Sequence, residues 1–396
     1  MKNKIINKLF ICILILFCFV CLFGFNNEHF ETSSIYTSIV IPYFNINFTV
    51  FTLIISISML LIILLLKKIK INTIIILLLI RCILYFIPIL YIFDGEEFKV
   101  GMCYAIIQCF FSFFIGINSE QENLENIIKV LMIYSIIICI EEAYTLLQHN
   151  ISIFSNDLKW WMVIPLGRNN YITCVLIPTY ALVSNYIDNN KLLKNIYFLI
   201  ILFGVLATGS RLGLILYISY NIYNKLKEKK NKKDIMIFFS AIIIIFITFI
   251  VLGMNKYLIL LADRFFSTSL YANRLQVYRE AFEVFLNNPI FGRSAFEYSV
   301  YDVTKCHNFI LESLVQTGII GTIVYLISLG LVINKIKSIE DQRTKKSLMS
   351  FIVLWLLQGL LEPNLFGLMS DFYFWIILGI GYGIALKEKE GLKDAK

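Results

Sequence analysis

Residues 305–321 read KCHNFILESLVQTGIIG and place a histidine, an asparagine and a glutamate at the start of an apolar run. His307 is one of only three histidines in the chain. Its ring can gain or lose a proton near neutral pH, and it stands at the external mouth of an expected span. Asn308 and Glu312 are four residues apart and share a helix face. Glu312 falls about one turn into the membrane, where an ionisable residue needs a partner and marks function by default. The glycines Gly318 and Gly321 predict a close approach by another helix.

Upstream lie arginines that can grip a diphosphate or carboxylate with two parallel hydrogen bonds. Arg168 stands in GRNN beside Asn170, Arg211 in TGSRLG, Arg274 in YANRLQVYREAFEVFLNNPIFG, and Arg293 directly after it. Arg168, Arg211 and His307 fall at the outer ends of expected spans, the common depth a site at one leaflet requires.

The elements that must hold these residues are membrane helices. The chain has 396 residues, 59% hydrophobic and 16% charged, a composition no soluble domain can bury. A span needs about 20 mostly apolar residues. Runs near 9–25, 46–66, 71–93, 98–117, 127–147, 171–187, 195–208, 210–224, 235–254, 308–333, 348–365 and 372–386 qualify. The expected fold is an all-α polytopic membrane protein of about twelve transmembrane helices. Residues 1–396 form one membrane domain, and a long external loop, 255–307, separates the ninth span from the tenth. The seventh and eighth runs are short and separated only by TGSR. The basic N-terminus with its apolar run reads as a retained first span, since no small-x-small cleavage pattern follows it.

Charge placement gives an orientation. With the N-terminus in the cytoplasm, 24 of the 35 basic residues fall on the cytoplasmic side, and all but Arg343 are lysine. Ten lie outside, six of them arginine, and Arg81 is mid-span, where an ion pair with Glu141 or Glu142 is expected. The net charge of +8 is thus a topology signal and not a nucleic-acid surface. Within the loop, Leu275, Tyr278, Phe282 and Phe285 make a helical apolar stripe ended by Pro289. They predict an amphipathic helix on the outer face. Arg274 and Arg279 are five apart, so they share a ligand only if Arg274 precedes the helix. Most of the nine cysteines sit in apolar runs as small hydrophobes; Cys306 alone has polar neighbours.

Four motifs in order across 165–325 resemble the O-antigen ligase and O-antigen polymerase superfamily. HNFILESLVQTGIIG is similar to its H-N-x-x-L-E-x-x-x-x-x-G-x-x-G signature, and NRLQVYREAFEVFLNNPIFG to the segment that precedes it. TGSRLGLIL resembles its Ser-Arg motif, and GRNNYIT its asparagine-containing segment. The family's Gly-x-Gly after the proline is replaced here by PIFGR, which brings Arg293 to that place. The resemblance implies a membrane glycosyltransferase of the bacterial cytoplasmic (inner) membrane, both termini cytoplasmic. It implies a polyprenyl-diphosphate-linked oligosaccharide donor, no metal and no cofactor. Arg211 and Arg274 form the diphosphate clamp, Arg168 and Arg293 assist, Asn170, Asn308 and Glu312 bind substrate, and His307 is the base. The implied partners are the lipid-linked glycan, the bilayer and a protein that regulates chain length. The expected activity is polymerisation of capsular or O-antigen repeat units. The alternatives are a ligase with a different acceptor, a transporter or flippase, and a non-catalytic scaffold.

Overall fold

The computed structural model describes residues 72–90, 100–118, 121–153, 158–187, 190–227, 269–293, 306–362 and 368–394, apart from isolated positions within them, and scattered positions elsewhere. The expected spans 9–25, 46–66 and 235–254 lie largely outside the described residues.

The described chain is almost wholly helical. Its helices are α1 (Thr73–Phe86), α2 (Val100–Ile117), α3 (Gln121–Gln148), α4 (Leu158–Trp161), α5 (Asn169–Tyr186), α6 (Lys191–Thr208), α7 (Arg211–Lys227), α8 (Ser269–Asn287), α9 (Phe309–Lys337), α10 (Gln342–Gly359) and α11 (Leu368–Asp394). Two antiparallel ladders of two residues per strand interrupt them. β1 (Val40–Ile41) pairs with β2 (Ile46–Asn47), and β3 (Val163–Ile164) with β4 (Gly167–Arg168). Among the described residues α3 from Leu124, α6 and α9 are long and apolar enough to cross a membrane, while α1 is apolar but shorter.

Burial in this molecule runs opposite to that of a water-soluble bundle. Ile83, Ile140, Leu199 and Ile323 are each at least half exposed, whereas Arg81, Ser135, Glu142, Thr173 and Gln358 are buried. Exposed leucine and isoleucine around polar interior positions are stable only where the surrounding solvent is itself apolar. The chain is a multi-pass membrane protein on these grounds.

Two helix pairs form the frame. α11 lies along α2, and α10 along α5. In the first pair, glycine brings backbone against backbone: a Cβ on Gly383 would stand 2.7 Å from Ile117 O. α9 rests on α1, α8 and α11. Its first residue, Phe309, packs on Trp355 of α10, whose indole stacks on Phe374 of α11 with ring centroids 3.7 Å apart.

The short seventh and eighth runs are two helices, as expected, while other expectations change. α6 and α7 are separate helices, because Gly209 adopts left-handed φ 64° and closes α6. Ser210 Oγ then accepts from Gly213 N–H to open α7. Arg81 stacks over the ring of Tyr325, 4.1 Å from its centroid. Glu142 instead faces Gly204 of α6, so the two expected partners look into different neighbours. α8 begins at Ser269, so Arg274 is inside the helix and its face differs from that of Arg279, which is exposed. The buried face of α8 is Val277 and Ala281 with Tyr278 and Phe285 beside them, while Leu275 and Phe282 of the expected stripe point outward.

Gly318 departs most from expectation. It breaks α9 with φ 61° and ψ −166°. Among the described residues no helix approaches it there. The turn after α8 does, with Ile319 N–H donating to Pro289 O (2.8 Å) and Arg293 N–H to Val315 O (2.7 Å). A helix interrupted at one residue frees carbonyls and amides on both sides, and this turn satisfies them. Gly292 in the turn also needs left-handed φ, 73°, and a Cβ there would stand 2.6 Å from Gly318 N. Gly321 faces the side chain of Thr317 in its own helix.

Candidate active site

The N-terminus of α9 is built by its own cap. Asn308 is extended, and its Oδ1 accepts from Ile310 N–H and Leu311 N–H, both at 3.0 Å. Its Nδ2 donates to Leu360 O on α10 (3.0 Å), so one side chain starts a helix and ties it to a neighbour. Glu312, one turn on, is buried. Its Oε2 accepts from Cys306 N–H (2.9 Å), and its Oε1 accepts from Gln316 Nε2. The Cys306 thiol is buried and donates to Asn308 O (3.3 Å).

His307 is held between these anchors in a left-handed conformation, φ 57°. Few residues other than glycine adopt it without support, and such strain concentrates at functional sites. Tyr278 of α8 supplies part of the support by donating its hydroxyl to His307 O (3.3 Å). Burial pushes the Tyr278 phenol above its ordinary value against the opposing pull of Arg274, so it stays a donor.

Glu362 organises the site. It follows α10, its N–H donates to Gln358 O (2.9 Å), and its side chain is 2% exposed. Oε1 takes an ion-paired hydrogen bond from Arg274 Nη2 at 2.9 Å. Oε2 faces His307 Nδ1 at 3.5 Å without hydrogen-bond alignment. Arg274 Nη1 also donates to Leu361 O (3.0 Å). The arginine and histidine side chains are 31% and 29% exposed, so both are partly open to solvent over a buried carboxylate.

The second arginine arrives from another direction. Arg211 is the first residue of α7, directly after the Ser210 cap, with the helix dipole's positive end behind it. Thr173 of α5 joins this corner to the rest. Its hydroxyl lies 3.4 Å from Ser210 Oγ, donates to Asn170 O (2.8 Å), and accepts from Gln358 Nε2 (2.8 Å). The end of α10 and the residues just after it therefore connect both corners, Gln358 to the α5–α7 junction and Glu362 to Arg274 and His307.

The structure thus gathers His307, Asn308 and Arg274 at the residues just after α10, with Glu312 bound to the Cys306 backbone beside them. Asn170 and Arg211 belong to the Thr173–Ser210 corner, with Arg168 in β4 at the entry to α5. Arg293 is tied by its backbone to the broken turn of α9. Glu362 and Gln358 are the residues that sequence reasoning passed over, because the expected span 348–365 ran through both. A trace was present: an acid at the end of an apolar run, four residues after a glutamine.

A partly exposed arginine and histidine over a buried carboxylate can together bind an anion and move a proton. No curated protein matches the chain. Residues 196–326 match the O-antigen ligase family, and this stretch contains Arg211, Arg274, Arg293, His307, Asn308 and Glu312, while Arg168, Asn170 and Glu362 lie outside it. The match covers about a third of the chain and, beside the apolar helices, shows that this stretch is similar to the O-antigen ligase family.

Proposed function

We propose that the protein polymerises lipid-linked oligosaccharide repeat units at the outer face of the cytoplasmic membrane. A sugar hydroxyl of the acceptor attacks the anomeric carbon of a polyprenyl-diphosphate-linked glycan. The C–O bond to the diphosphate breaks, and the lipid diphosphate leaves with the bonding pair. His307 Nε2 takes the hydroxyl proton. Arg211 and Arg274 neutralise the leaving diphosphate, with Arg168 and Arg293 assisting, which is the work a metal does in other transferases. Asn170 and Asn308 border the substrate.

The observation that carries this reading is the Glu362 carboxylate set between Arg274 and His307. A carboxylate facing Nδ1 favours the tautomer that carries its proton there, which leaves Nε2 free to act as base. The same carboxylate aims Arg274. Glu312 holds the Cys306–His307 backbone in place. Base and clamp thus share one buried support.

Purified protein in liposomes with a polyprenyl-diphosphate-linked oligosaccharide and EDTA tests it. A ladder of longer lipid-linked glycans is expected, absent in His307→Ala and in Arg211→Ala. A ladder that persists in both variants would remove His307 and Arg211 from the chemistry. Transfer that needs a second, different acceptor would identify a ligase. No transfer, with lipid-linked glycan crossing vesicles unaided, would identify a transporter.

A further inference from the structure

The outer ends of α7 and α10 are drawn together through Thr173, but their other ends part. Between them lies a cavity of about 490 Å³. Its two ends differ in chemistry. At the α10 start it is lined by Lys345 and Lys346 with Asn224 of α7 opposite; further along it is lined by Leu216, Met349, Val353, Leu354 and Leu357. From Lys346 to Leu357 the helix rises about 17 Å. Val353 and Leu357 are exposed. Asn224 Oδ1 is buried and accepts no hydrogen bond. A groove with two cations at the membrane edge, an unfilled acceptor beside them and an apolar floor matches an amphiphile with an anionic head.

We propose that this groove binds an anionic glycerophospholipid of the leaflet opposite the active site. Its phosphate sits on Lys345 and Lys346, a headgroup hydroxyl donates to Asn224, and one acyl chain runs along Met349, Val353 and Leu354. The site is distinct from the donor's: Glu362 stands beyond the other end of α10, and Lys346 to Gly359 alone is about 20 Å of helix. Naming the leaflet as cytoplasmic rests on the proposed outer placement of the active site, whereas the ligand's chemistry does not. Arg343 is the built-in comparison. It is adjacent in sequence and equally cationic, but its guanidinium lies over the ring of Tyr186, 4.4 Å from the centroid, and it does not line the groove.

Native mass spectrometry of the delipidated full-length protein, offered equal phosphatidylglycerol and phosphatidylcholine, tests the site without any transfer assay. The wild type is expected to retain phosphatidylglycerol preferentially. Each of Lys345→Gln and Lys346→Gln reduces that preference about fivefold. Arg343→Gln leaves it in place. Val353→Trp, which fills the apolar floor and keeps both lysines, lowers retention of phosphatidylglycerol. Equal retention of the two lipids by the wild type would overturn the proposal. So would an unchanged preference in the double lysine variant, or an equal loss in Arg343→Gln, which would mean a diffuse basic surface.

Discussion

At the residue scale the site turns on a buried carboxylate set between an arginine and a histidine. Glu362 is buried, yet Arg274 and His307 above it are partly exposed, so water screens the pair and its value to stability is modest. On the proposed reading its value to function is larger, because it aims Arg274 and faces His307 Nδ1. Glu362→Gln keeps the volume and removes the charge. The expected result is a fall in turnover of about 10- to 100-fold with the protein still folded. Transfer rates measured beside thermal unfolding separate the two effects, and unaltered turnover would sink the role given to Glu362. Asn308 carries a different load. Asn308→Ala loses the cap of α9 and the bond to Leu360 O, and unfolding should come earlier by about 1–2 kcal/mol.

Among the elements, α9 and α10 decide the geometry. α9 is continuous in sequence pattern but broken at Gly318, and the turn at 289–293 is docked into the break. A side chain at position 318 meets both a left-handed φ and the backbone of Ile290. Gly318→Ala is expected to cost about 2–4 kcal/mol and to release the turn that carries Arg293. Hydrogen exchange at Arg293 and Ile319 would report that release as lost protection. α10 begins with Asp341, whose carboxylate accepts from Thr344 N–H (3.0 Å) and Arg343 N–H (3.3 Å). Bonding to Thr344 holds this carboxyl below its ordinary value. A depressed carboxyl stabilises the fold above its unfolded value, about 3.9, and that contribution is lost as pH falls through the folded value. Asp341→Ala should lower stability by about 1 kcal/mol at neutral pH. The gap to wild type should close on acidification below about pH 4, as melting curves at several pH values would show.

On the scale of the whole molecule, stability comes from helices that approach more closely than lipid chains can. Gly116, Gly379 and Gly383 let α2 and α11 touch along their backbones. Gly116→Leu is expected to prevent that docking and to yield aggregated protein on size exclusion in detergent. Gly330→Ala, where the added methyl meets nothing within 4 Å, should behave as wild type. A monodisperse Gly116→Leu protein would show that the α2–α11 contact is not what holds the bundle.

How much of this was legible in advance follows from the range of the forces involved. Helix positions, the separation of arginine from lysine, and the asparagine, histidine and glutamate at the mouth of α9 are local matters of hydropathy, charge and spacing, and one sequence contains them. The boundary of α10 was not legible, because a buried carboxylate and the apolar run before it look like one span until Arg274 arrives from 88 residues away to pair with it. The helix-spacing signal of Gly318 was read as a helix contact, since nothing nearby in sequence announces that a turn from the preceding loop will fill the break. Sequence alone determined a multi-pass membrane chain with histidine and arginine motifs that resemble those of O-antigen ligases. Only the tertiary structure decided that Glu362 sits beneath both His307 and Arg274, because long-range pairing depends on which helix ends the fold brings together.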